Sequence, residues 1–100
     1  MLLSFENVLN VFHDYLQTDP LYEVVSTSHG YTLLAWEPAR NNWYSAEFIA
    51  TPDILLDKLI DAYASFLEDR ITANERELIS TETAEIETQC KQLREQCQIE

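Results

Sequence analysis

Residues 21–50 read LYEVVSTSHGYTLLAWEPARNNWYSAEFIA, and their hydrophobic pattern differs from that on either side. Aromatic and β-branched residues crowd Leu21 to Ser28, Tyr31 to Glu37 and Trp43 to Ala50, with turn-forming residues between the runs. Side chains of this kind suit a pleated, half-buried surface, so the stretch predicts three strands in an antiparallel meander. His29-Gly30 supplies a two-residue hairpin turn and Pro38-Ala39-Arg40-Asn41 a longer one.

Outside this stretch the period becomes helical. Phe5, Val8, Leu9, Phe12 and Leu16 recur at i, i+3, i+4 and i+7, with Ser4 as N-cap and Pro20 beyond the end, which predicts one helix over 5–17. Thr51-Pro52-Asp53 combines a capping residue, a proline at the first helical position and an acid in the first turn. Leu55, Leu56, Leu59, Ile60, Tyr63, Phe66 and Leu67 then form a wide apolar face. Thr72-Ala73-Asn74-Glu75 matches a capping box and predicts a restart into a third helix. The expected fold is α+β, α-βββ-α-α: a three-stranded antiparallel meander with helices on one face. Residues 1–100 read as a single domain, with 72–100 a C-terminal helical extension that packs on it or projects.

Composition bounds the function classes. A 46% hydrophobic chain of 100 residues holds enough apolar surface for one modest core, and a lone glycine with three prolines argues against a loop-rich fold. Eighteen acids against six bases give a net charge of −12, and no Lys or Arg precedes Arg40. A field of that sign repels phosphate, so no direct nucleic-acid binding is expected, whereas a basic protein partner is compatible; the plainer alternative is that the acids only maintain solubility. Met1-Leu2-Leu3 is followed at once by Glu6 and Asn7, unlike a secretion signal, and no run approaches the roughly 18–20 apolar residues of a membrane span. A cytoplasmic protein without membrane attachment is the expectation, with Cys90 and Cys97 as reduced thiols.

Two surfaces stand out. Pairing Ser28 with Tyr31 and Trp36 with Trp43 sorts the strands by alternation. Tyr22, Val24, Leu33, Ala35, Tyr44, Ala46, Phe48 and Ala50 then take the core face, and Val25, Leu34, Trp36, Trp43 and Ile49 share the other with Glu23, Thr32, Ser45 and Glu47. Leu34, Trp36 and Trp43 form a candidate protein-binding patch, since Trp is enriched among residues that dominate interface energy. The alternatives are a face covered by the C-terminal helix, or a Trp pair that only stabilises its hairpin. The second surface is a heptad seam of Ile79, Thr83, Ile86, Cys90, Leu93 and Cys97. It suits a homodimer, a groove in another protein, or packing back on its own domain.

Asp53, Asp57 and Asp61 recur every fourth residue along the second long helix. Such a stripe can imitate a row of phosphates toward a basic target, or simply be the solvated side of an amphipathic helix. Catalytic chemistry is sparse. His13 and Asp14 are helix neighbours that point to different sides, and one glycine excludes a Gly-rich phosphate loop. Cys90 and Cys97 lack metal-knuckle spacing, so no metal or cofactor is expected. The sequence therefore reads as a non-enzymatic protein–protein interaction module. The alternatives are an acidic, nucleic-acid-mimicking inhibitor of the phage or mobile-element type, and a structural oligomer subunit.

Overall fold

The computed structural model describes residues 3–73 and 75–98. In chain order the elements are α1 (Phe5–Val11), α2 (His13–Thr18), β1 (Tyr22–Thr27), β2 (Gly30–Glu37), β3 (Asn42–Ile49), α3 (Pro52–Thr72) and α4 (Ser80–Gln98). The three strands form an antiparallel sheet in the order β1-β2-β3, so the architecture is α+β. One core joins Val8, Phe12 and Tyr15 with Leu33 and Ile49 of the sheet, Leu55, Leu56, Leu59 and Ala62 of α3, and Cys97 of α4.

The Ser4 hydroxyl caps α1 by accepting the Asn7 N–H at 3.1 Å. The single helix expected over 5–17 is instead interrupted at Phe12, whose φ of −91° and ψ of 6° leave the helical region. Hydrogen bonding continues through the break, from Phe12 N–H to Val8 O and from Leu16 N–H to Phe12 O. The fully buried Phe12 ring packs edge-on against Tyr15 and Tyr63 at this point. Beyond α2, the buried carboxylate of Asp19 accepts the Tyr15 hydroxyl at 2.7 Å and the Leu21 N–H at 3.0 Å, tying the helical end to the first strand. Burial and then the Asp19 hydrogen bond push the Tyr15 phenol well above its ordinary value.

The first hairpin loop is Ser28-His29, not His29-Gly30, because Thr27 pairs with Gly30. Gly30 has a φ of 128°, a conformation closed to other residues without strain, so it opens β2. This register differs by two residues from the expected one and leaves the faces of β1 as anticipated. The second hairpin does not. Trp36 pairs with Trp43 as expected, yet Ala35 pairs with Ser45, so Tyr44 is an extra residue in a β-bulge. One inserted residue reverses β3: Ser45, Glu47 and Ile49 turn toward the helices, while Ala46 and Phe48 join Trp36 and Trp43 on the outer face. The expected placement of Tyr44, Ala46 and Phe48 in the core, and of Ile49 outside it, is thereby corrected.

Thr51 caps α3 through its hydroxyl, which accepts the Ile54 N–H at 3.3 Å. Thr72 does not start a new helix: it ends α3, its hydroxyl donating to Glu68 O, and Ala73 terminates the helix in the left-handed region. Asn74 of the expected capping box lies outside the described residues. The next helix begins only at Ser80, where Glu82 accepts the Ile79 N–H at 3.1 Å and both terminal nitrogens of Arg76, at 2.8 and 2.9 Å. The extension packs back. Ile86 and Cys97 are buried, the Tyr63 hydroxyl donates to Gln89 Oε1 at 3.0 Å, Arg94 pairs with Asp57 at 3.0 Å, and the Asn7 side-chain amide donates to Cys97 O. No helix among the described residues is long and apolar enough to cross a membrane.

Candidate protein-interaction surface

The outer sheet face is assembled by register. Trp36 and Trp43 face each other across β2 and β3, their rings 5.0 Å apart and 78° inclined in an edge-to-face pair. Such pairs contribute about 0.5–1.5 kcal/mol beyond buried area, so the rings support the hairpin while staying open to solvent. Leu34 lies one row further, between Glu23 and Ala46, and Val25, Thr32 and Phe48 make the next row. The Phe48 ring covers Gly30, where an added Cβ would lie 3.4 Å from Phe48 Cε1. Trp43, Tyr44 and Phe48 are 39, 62 and 56% exposed, whereas Ile49 on the opposite face is 1% exposed. Leu34 and Trp36 are half-buried. The sequence pointed to Leu34, Trp36 and Trp43, which the sheet does bring together, and missed Tyr44 and Phe48. Nothing short of the bulge position would have found those two, because alternation alone assigns them to the core.

Tyr44 contributes to a second feature. Between β3 and α3 runs a cleft of about 230 Å³, bordered by Tyr22, Ala35, Tyr44, Glu47, Lys58 and Asp61. Lys58 Nζ meets Glu47 Oε2 at 3.1 Å, which is how the inner face accepts a carboxylate. Burial, with Tyr44 next in effect, raises the Tyr22 phenol. Asp61 forms no ion pair or hydrogen bond among the described residues. The acidic stripe is thus divided: Asp57 is engaged by Arg94 of α4, Asp61 borders the cleft, and Asp53 is exposed in the first turn of α3, where a negative charge suits the helix dipole.

The heptad residues are placed elsewhere. Leu93 and Cys97 pack in the chain's own core, Ile86 is buried, and Cys90 is half-buried, its thiol raised chiefly by burial. Only Ile79, 58% exposed just before α4, and Thr83 remain outside. A groove of about 400 Å³ between α2, α3 and α4 is lined by Phe12, Tyr15, Phe66 and Leu93, with the Arg70 guanidinium 5.4 Å over the Phe66 ring. His13 and His29 are exposed at separate sites, and no group of three or more His, Cys, Asp or Glu converges among the described residues. Comparison with family models, with curated proteins and with solved structures finds no match to this chain.

Proposed function

We propose that the chain is a non-enzymatic protein–protein interaction module that binds its partner with the outer sheet face and strand β3. The observation that carries this reading is the inverted strand. Trp43 and Phe48 face solvent on the outer side, while polar Ser45 and Glu47, themselves exposed, take the helix-side positions beside buried Ile49. A fold driven only by burial would place those rings inside, since each fully buried aromatic contributes about 1.5–3 kcal/mol. Positions where local pattern and global fold disagree are where function is expected. Exposed Trp and Tyr also have the amphipathic, rigid character of interface anchors.

The alternative of phosphate mimicry draws less support, because Arg94 engages Asp57, the middle residue of the stripe of Asp53, Asp57 and Asp61. A homodimer through α4 would need a seam of which Leu93 and Cys97 already pack in the chain's own core and Ile86 is buried, leaving Ile79 and Thr83 exposed. The test is a double variant, Trp43→Ser with Phe48→Ser, used beside the wild type in pull-downs at low and high salt. Both side chains are exposed, so the variant keeps its cooperative unfolding transition and loses the recovered partner at both salt concentrations. Unchanged recovery would discard the reading.

A further inference from the structure

We infer that this surface takes its partner by strand addition: an extended segment of alternating basic and apolar side chains pairs with the free edge of β3. The inference rests on the interaction-module reading and specifies its geometry. It starts from backbone polarity. Trp36 N–H donates to Leu21 O at 2.8 Å, so even-numbered residues of β2 turn their backbone groups toward β1 and odd-numbered ones toward β3. Through the pairs Leu33–Glu47 and Ala35–Ser45, β3 answers with the backbone groups of Ser45 and Glu47. Those of Ala46 and Phe48 therefore point away from the sheet, and no strand among the described residues pairs with β3 on that side. The eight-residue edge carries no proline or lysine, and its protection is confined to the bulge at Tyr44 and the helix-side charge of Glu47, which leave the backbone groups of Ala46 and Phe48 open.

Side chains set the chemistry of the occupant. An added strand alternates between the two faces. On the outer face its side chains flank Trp43, Ala46 and Phe48, which favours apolar groups. On the inner face they flank Ser45 and Glu47 and meet the cleft, whose 230 Å³ matches one long side chain. That cleft is bordered by Tyr22 and Tyr44, aromatic rings of a kind whose faces attract cations, and by the carboxylate of Asp61, while the Lys58 ammonium there is already paired with Glu47, so the balance favours a Lys or Arg head. The net charge of −12 favours a basic segment again and opposes a second copy of the same chain.

The probe is a synthetic nonapeptide alternating Lys and Val, with two controls: its Glu/Val counterpart, and the Lys/Val peptide N-methylated on the edge that would face β3. Binding is followed by tryptophan fluorescence and calorimetry. The Lys/Val peptide binds, the Glu/Val peptide does not, and N-methylation or Ala46→Pro weakens binding about tenfold, the effect of losing one or two backbone hydrogen bonds. Proline is tolerated at Ala46 because its N–H bonds nothing in the sheet. Asp61→Asn weakens binding about threefold and flattens its salt dependence. Binding indifferent to N-methylation, or shared by the Glu/Val peptide, overturns strand addition, as does no binding of the Lys/Val peptide. If Trp43→Ser with Phe48→Ser still abolishes recovery of the natural partner, the module reading survives that failure.

Discussion

The carboxylate of Glu82 organises the entry to α4 by taking both arms of Arg76 and the Ile79 N–H, in an order of strength that holds its pKa down at about 2. An unfolded Glu titrates near 4.5, so the folded value is depressed. Stability from this contact is fully present above about pH 4.5 and is lost as pH falls toward 2. Arg76→Ala therefore narrows the gap to wild type as the pH drops through that window, a trend read from thermal melts at stepped pH. Gly30 is a second residue with a decisive local role. A Cβ there meets the Phe48 ring and a φ of 128° that other residues rarely adopt, so Gly30→Ala costs about 1–3 kcal/mol in urea unfolding. A cost near zero would show that the hairpin turn relaxes freely.

Strand β3 is the element on which the functional reading turns. Its parity is tested by two truncations: Ile49→Ala costs about 2–4 kcal/mol in urea unfolding, whereas Phe48→Ala costs under about 1 kcal/mol, because only the first opens a cavity. The sequence made the strands, the Trp pair and both long helices legible, since hydrophobic period and caps such as Thr51-Pro52 report directly on local geometry. It did not reveal the bulge. No glycine marks Tyr44, and the apolar stripe Tyr44, Ala46 and Phe48 imitates a core face, while the Lys58–Glu47 ion pair on the helix side is a tertiary event. The break at Phe12 was hidden for a related reason, as packing against Tyr15 and Tyr63 decides it. The seam of α4 was visible as apolar spacing, but spacing does not say what covers it; here α1 and α3 do. Accordingly Cys97, fully buried, reacts with an alkylating reagent only on unfolding, and Cys90 reacts faster in the native protein.

At the scale of the molecule the core is one-sided. All helices gather behind the sheet in a body of 42 × 38 × 18 Å, and the opposite sheet face has no covering element among the described residues. Eighteen acids surround it, and their mutual repulsion opposes the compact state. Moderate salt screens that repulsion over a Debye length of about 10 Å at 0.1 M, so the melting temperature rises as salt is added from a low starting concentration. Residue-resolved amide hydrogen exchange on the free protein reads the open face and the bulge together. Ser45, Glu47 and Ile49 should be protected, while Ala46 and Phe48 exchange close to the rate of an unstructured chain. Protection at Ala46 and Phe48, or the opposite alternation along β3, would contradict an outward-facing aromatic edge.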